Sequence, residues 1–177
     1  MENHMSALEN TPNNRNFLSP LNFKFSIKRA PNVNFFIQRV NIPSIRLPDI
    51  DIPTQFVPIP TTGRLSYGTF SITFKVDEDL HNYLEIHNWM RGLGFPESYD
   101  EYKTISEIPE YTGDGLRSDL SLIILNSAKN PNYEFVFRDA FPIDLSDATF
   151  DTTLSSVDYI TASAEFKYTL FDVVKIS

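Results

Sequence analysis

Residues 130–174 decide the fold, through the stretches NPN (130–132), YEFVFR (133–138), AFPI (140–143), FD (150–151) and ASAEFKYTLFDVV (162–174). The first stretch predicts a turn, the second a strand, and the third a break at Phe141-Pro142 before a polar segment. In 162–174 apolar and polar side chains alternate with the two-residue period of a strand that has one buried and one wet face. This pattern predicts a sheet that meets other sheets, and it suggests no catalytic chemistry.

The composition also favours β structure. The chain has 177 residues, enough for one domain, and its 15 Phe and 8 Tyr suit pleated surfaces better than helical bundles. We divide it into a flexible N-terminal arm (1–20) and a single domain (21–177). The sequence shows neither a signal-peptide core nor a run long enough to cross a bilayer, so we expect a soluble protein made in the cytoplasm.

Upstream, the same alternation predicts strands at 21–28 and 33–40, paired as a hairpin across Ala30-Pro31-Asn32, and further strands at 68–76 and 120–125. The period changes after Asp77-Glu78-Asp79, three acids that suit the start of a helix. The apolar stripe of this predicted helix consists of Tyr83, Ile86, Met90 and Leu93, and we expect the helix to span about 79–91. The predicted fold class is mainly β: two packed antiparallel sheets in a sandwich or barrel-like subunit, with one flanking α-helix.

Two segments depart from regular structure. Residues 43–62 combine five prolines with large apolar side chains, which is unusual for a central strand and for a solvated loop. Either this segment wraps on its own core, or it is a projecting arm whose apolar residues are buried by a neighbouring subunit. Residues 97–117 are polar and rich in turns, and we expect a long surface loop.

No catalytic or metal-binding pattern occurs. The chain has no cysteine, and its three histidines are His4, in the polar N-terminal stretch, and His81 and His87, which lie on opposite sides of the predicted helix. Phosphate-loop and nucleophile-elbow motifs are absent. A net charge of −8 argues against a dedicated nucleic-acid binder. We expect no enzyme activity, no metal and no cofactor.

Taken in order, these motifs resemble the tail tube proteins of contractile-tailed bacteriophages and the related tube-initiator proteins of the baseplate. The resemblance covers Asn22 to about Val174. It rests on the following elements: NFKFSI (22–27), the Pro-rich segment, Gly63-Arg64 leading to FSITF (70–74), the acidic turn into the helix that holds Trp89, Phe141-Pro142, Phe150-Asp151 and Phe166-Lys167-Tyr168. The N-terminal arm and the loop at 97–117 exceed what a minimal tube subunit needs, which could mark a specialised initiator.

The resemblance implies a structural virion protein whose copies form stacked hexameric rings around a lumen. Viral DNA would pass through without specific binding, and baseplate and tail sheath proteins would be partners, with no membrane involved. Such a protein would assemble in the host cytoplasm and reside in the virion tail. The leading hypothesis is therefore a tail tube subunit, and the second is a baseplate protein of the same fold that caps or nucleates the tube. A rival is a carbohydrate-binding β-sandwich that uses Trp89, Tyr99, Tyr102 and Tyr111.

Two groups of residues are candidates for assembly. The first would contact neighbouring subunits and consists of Ile50, Ile52, Phe56, Val57, Ile59 and Trp89. The second would line the lumen from the wet face of the closing strand and consists of Ser163, Glu165, Lys167 and Thr169. Long alternating strands at sheet edges invite pairing with another chain, and a closed ring is one way to remove those edges.

Overall fold

A computed structural model describes residues 16–107, 115–153 and 159–176, so residues 1–15 of the predicted N-terminal arm lie outside the described part. Its elements, in chain order, are β1 (Phe23–Ile27), α1 (Pro31–Phe36), β2 (Ile37–Val40), β3 (Ile45–Arg46), β4 (Asp49–Ile52), β5 (Ile59–Thr62), β6 (Ser66–Tyr67), β7 (Phe70–Lys75), α2 (His81–Gly94), α3 (Tyr99–Ser106), β8 (Ser118–Leu125), β9 (Pro131–Leu145), β10 (Thr161–Lys167) and β11 (Leu170–Lys175).

The architecture is two antiparallel sheets that share the long strand β9. In sheet A the strand order is β1-β8-β9-β11, where β9 contributes its first half. In sheet B the order is β9-β10-β7-β2, where β9 contributes its second half. Two small ribbons, β3-β6 and β4-β5, lie outside these sheets. The predicted mainly β fold class is confirmed, with two helices more than the sequence indicated.

Phenylalanines from both sheets meet in the core. Phe70 of β7 is fully buried, and its ring centroid lies 5.4 Å from that of Phe25 on β1, 4.5 Å from Phe137 on β9 and 6.5 Å from Phe166 on β10. Buried Ile86 and Trp89 of α2 join the same cluster. The apolar positions of the alternating strands therefore face inwards, as the two-residue period predicts.

The predicted hairpin of 21–28 and 33–40 is wrong. β1 pairs with β8 in sheet A, whereas β2 pairs with β7 in sheet B, and Pro31 begins the short helix α1 between them. The Asn34 side chain explains the change: its Nδ2 donates to the Ile27 carbonyl (2.9 Å), and its Oδ1 accepts from the Ile27 N–H (2.8 Å). These two bonds occupy backbone groups that a hairpin partner strand would have used.

The break predicted at Phe141-Pro142 is also absent, because β9 runs through it. Pro142 is buried where β9 leaves sheet A for sheet B, so its missing N–H falls at a change of partner. The single closing strand 162–174 is instead two strands, β10 and β11, separated at Tyr168-Thr169. β10 pairs with the second half of β9 in sheet B and β11 with the first half in sheet A, so the separation at Tyr168-Thr169 falls where the chain passes from one sheet to the other.

The helical predictions were right in kind and incomplete in extent. α2 begins two residues later than expected, and Asp77 accepts a hydrogen bond from the Asn82 N–H (3.3 Å) near its start. The helix continues through Gly92 and Gly94 and ends before Phe95, which has a left-handed φ of 35°. The loop expected at 97–117 contains α3, whose Ile105 packs against α2, and residues 108–114 lie outside the described part.

Gly92 sets the approach of α3 to α2, and this generates a stability prediction. A Cβ at Gly92 would lie 1.8 Å from Ile105 Cδ1, whereas a Cβ at Gly94 meets nothing within 4 Å. We expect Gly92→Val to lower the free energy of unfolding by about 1–3 kcal/mol through overpacking. The matched variant Gly94→Val should stay within about 0.5 kcal/mol of the parent. Chemical denaturation of both variants tests this, and equal losses would show that the α2–α3 contact is not tight.

Candidate assembly interface

Residues 43–68 form an arm of two successive antiparallel ribbons. At its base Ile45 of β3 pairs with Tyr67 of β6, and further out β4 pairs with β5. All four residues of β4 and all four of β5 are exposed. Phe56, between the two strands, is 89% exposed. The other apolar interface candidates on this arm are exposed as well, namely Ile50, Ile52, Val57 and Ile59.

Two glycines hold the arm in a defined shape. The Gly63 N–H donates to the Pro48 carbonyl (2.7 Å), and the Gly68 N–H donates to the Ser44 carbonyl (2.9 Å). A Cβ on Gly63 would lie 2.9 Å from the Pro48 carbonyl oxygen, and one on Gly68 would lie 2.7 Å from Ser44 Oγ. The contact at Gly63 is with a backbone oxygen and needs a residue without a side chain, whereas the Ser44 hydroxyl can turn away from a side chain at position 68. The two backbone hydrogen bonds join the ribbons by close approach and not by a free linker.

The arm is fixed to the body through Tyr67. Its ring centroid lies 5.4 Å from that of Phe171 and 5.9 Å from that of Tyr168. The Tyr168 hydroxyl is buried and has no hydrogen-bond partner among the described residues. Burial, with a smaller effect from Tyr67, raises the pKa of Tyr168 to about 12. The junction of arm and body is therefore an aromatic contact that favours a neutral phenol.

The wet face of sheet B is rich in hydroxyl groups. On β10, Ser163 lies opposite Thr73 of β7, and Glu165 lies opposite Ser71. Thr161 faces Lys75 in the same register. The lumen candidates Ser163, Glu165 and Lys167 thus share one face with residues of β7 that were not singled out from the sequence. The sequence could have identified these β7 residues, because the alternation of 68–76 places Ser71, Thr73 and Lys75 on the side opposite the buried phenylalanines.

Charges of both signs are interleaved on this face. Arg39 of β2 lies opposite Thr73, and Asp144 of β9 lies opposite Glu165. Lys167 is exposed, and Lys75 places its ammonium 3.8 Å from the ring centroid of Tyr159. The acidic surplus of the chain is therefore not concentrated here, and electrostatic repulsion from this face alone would not keep a polyanion away.

Two candidate residues do not fit the roles expected for them. Trp89 is 1% exposed and donates from Nε1 to the Leu116 carbonyl (3.1 Å), so it is a core residue with no surface for a neighbouring subunit. This burial also removes the indole from the sugar-binding alternative, and Tyr111 lies outside the described residues. Thr169 lies between β10 and β11, and its N–H donates to the Arg138 carbonyl (3.0 Å), so it does not continue the row on β10.

Within 16–107, 115–153 and 159–176, no group of three or more His, Cys, Asp or Glu side chains could hold a metal ion. No helix in these ranges is both long and apolar enough to cross a bilayer. The strongest features of the surface are thus the apolar arm, the hydroxyl-rich sheet face and the open sheet edges.

No protein-family model matches the chain. A curated relative, the "Tail tube terminator protein" of Enterobacteria phage T4, is 28% identical over 162 residues, which cover 87% of this chain and 87% of the relative.

Two solved structures share the fold. The tube terminating cap of the anti-feeding prophage has a TM-score of 0.62 at 12% identity and covers 97% of this chain and 99% of its own. The sheath/tube terminator of the extracellular contractile injection system PVC, in the extended state, has a TM-score of 0.60 at 14% identity, with coverages of 91% and 99%. The three proteins named here are tube terminators or a tube cap, and further structures with this fold come from a baseplate and from a sheath–tube complex, which agrees with the broad family resemblance seen in the sequence.

The aromatic junction predicts an alkaline titration. Because the folded protein holds the pKa of Tyr168 near 12, above the ordinary value of 10.0, ionisation of this phenol favours the unfolded chain: stability is unaffected below pH 10 and falls as the pH rises from 10 towards 12. Tyrosinate absorbance should show a late-titrating phenol, and Tyr168→Phe should remove it. The variant should lose no stability at neutral pH, since the hydroxyl has no partner. A clear loss would reveal a hydrogen bond to this group.

Proposed function

We propose that this protein is a structural component of a contractile tail or a related injection system, and that it forms a ring that terminates the tail tube. The observation that carries the proposal is the similarity to a tube terminator, at 28% identity over 87% of both chains. The fold shared with two further terminators or caps supports it. A repeating tube subunit and a baseplate initiator become the alternatives.

The sheet geometry suits ring formation. Sheet B ends in β2 on one side and in the second half of β9 on the other, and no further strand pairs with either edge among the described residues. Unpaired edges favour association with another chain, and side-by-side copies that close on themselves leave none exposed. In such a ring the hydroxyl-rich face of sheet B, with Ser163, Glu165 and Lys167, would line the lumen.

The remaining properties follow from this role as proposals. The ring would be the hexamer implied by the family resemblance, located in the virion tail, with sheath and baseplate proteins as partners. DNA would pass through a lumen of mixed charge and many hydroxyl groups, without a dedicated binding site. We assign no catalytic activity, because the proposed role needs only defined contacts between subunits.

Electron microscopy of the concentrated, purified chain tests the role. A terminator should give single rings that do not stack, whereas a repeating tube subunit should give long tubes. Quantitative mass spectrometry of virions provides a second measure. The copy number of a terminator per virion should equal the number of subunits in one ring, whereas a tube subunit should be among the most abundant proteins. A chain that stays monomeric and binds a defined sugar tightly would overturn the assembly role.

The arm generates a mutational prediction. Ile52→Asp should leave a folded monomer and abolish rings, because the carboxylate would have to be buried at a contact between subunits. The matched control is Val174→Asp on β11, since Val174 is 49% exposed and Ile52 is 50% exposed. Circular dichroism and thermal unfolding report the fold, and light scattering reports the assembly. Unfolding of Ile52→Asp would instead show that the arm belongs to its own core.

A further inference from the structure

The apolar arm and an apolar groove lie at opposite edges of sheet B. The arm connects β2 to β7 and leaves the body beyond the ends of these two strands, on the side of sheet B that β2 borders. The groove lies beside the second half of β9, at the other end of the order β9-β10-β7-β2. When copies associate side by side in one orientation, the arm of each copy approaches the groove of the next.

The groove is a pair of adjoining depressions between α2 and β9. Their volumes are about 460 and 560 Å³, and both are lined by Met90 and Gly94. Phe141 and Leu145 of β9 form the opposite wall at the two ends. Space remains at its centre, because a Cβ added at Gly94 would meet no atom within 4 Å. This surface offers a site for apolar side chains from another molecule.

The strand edge beside the groove is available for pairing. β8 accompanies β9 only as far as Ala140, which pairs with Ser118, so beyond that point β10 is the only neighbouring strand in the described part of the chain. The pairing of β9 with β10 shifts register around Ile143, which has no partner on β10 and is 39% exposed. A bulge at an edge of this kind turns a side chain outwards and leaves backbone groups unpaired.

The arm has the shape, reach and charge to fill this groove. Each side of the arm, from the start of its strand to the tip, has about six residues and is therefore roughly 20 Å long, at about 3.3 Å per residue. This length is several times the spacing of about 4.8 Å between neighbouring strands, so the arm can reach a neighbouring copy. The tip is internally bonded, since Thr54 Oγ1 donates to the Val57 carbonyl (2.6 Å). Between Leu47 and Thr62 the only charged residues are Asp49 and Asp51.

The rim of the groove complements those two acids. Arg117 lines it, with its guanidinium carbon 5.9 Å from the ring centroid of Phe141. Glu97 lies on the same rim, but its carboxylate is paired with Arg91 (2.7 Å). Arg91 also pairs with Glu101 (2.8 Å), so the rim carries charges of both signs, and Arg117 is the group on it that complements the two acids of the arm.

We propose that the tip of the arm, at Phe56 and Val57, inserts between α2 and the bulged edge of β9 in a second copy of the chain. This inference rests on the proposed function and adds the surface that receives the arm. The contact is head to tail: every copy donates an arm and accepts one. Repeated around a ring, it buries the most exposed apolar residues of the arm at each junction.

Disulfide trapping tests the docking, because the natural chain contains no cysteine that could interfere. Phe56→Cys and Gly94→Cys are made as separate variants, mixed under conditions in which rings form, and oxidised. Both sites tolerate the change, since Phe56 is exposed and Gly94 faces open space. A disulfide-linked dimer should appear in the mixture and in neither variant alone, and the double variant should give a ladder of linked subunits.

The matched control replaces Gly94→Cys by His81→Cys, which is exposed at the other end of α2 and about 20 Å away along the helix axis. If rings form, but the cysteines at positions 56 and 94 link no more often than those at positions 56 and 81, the docking is wrong. The proposed function is then unaffected. Linking of Phe56→Cys to itself would show a symmetric contact between arm tips, and would also overturn it. If neither rings nor cross-links form, both the proposed function and the docking are contradicted.

Discussion

The burial of Phe70 is the contact on which the rest of the molecule depends. Its ring touches phenylalanines of β1, β9 and β10, and therefore holds sheet A and sheet B together at one point. Removal of such a buried ring typically costs about 3–5 kcal/mol, a large share of the roughly 5–15 kcal/mol that stabilises a domain. The position of each open sheet edge, and so of every proposed contact between copies, follows from how the two sheets are joined here and along β9.

The same joining explains why the protein has surfaces suited to association. A strand shared by two sheets cannot keep both neighbours along its whole length, so β9 loses β8 where it enters sheet B and leaves an edge open. On the opposite edge the chain leaves β2 and forms an arm with its apolar side chains outside the core. A single copy exposes the apolar side chains of the arm, and neighbouring copies would cover them. The open strand edge and the exposed arm therefore agree with the proposed role.

Much of the fold could be predicted from the sequence, because it depends on local periodicity. Two buried faces were predicted correctly. One is the alternation of Phe70, Ile72 and Phe74, and the other is the helical stripe of Tyr83, Ile86 and Met90. The errors arose where a distant contact overrides the local pattern. Asn34 occupies the backbone of Ile27 and prevents the hairpin, and Tyr168-Thr169 divides a regular alternation because its two halves lie in different sheets. Trp89 was misassigned because periodicity shows only that a helix face is covered, and not which part of the protein covers it.

The ribbon structure of the arm limits how its length can vary in related proteins. Side chains on paired strands alternate between faces, so a single inserted residue in β4 or β5 would move every later side chain to the other face. Insertions or deletions of one residue on each strand would keep the pairing, and those of two residues on each strand would also keep the faces. Gly63 and Gly68 add a second limit, since each must stay opposite Pro48 and Ser44. Divergence of the arm should therefore proceed by even steps at its tip, while its base keeps a constant length.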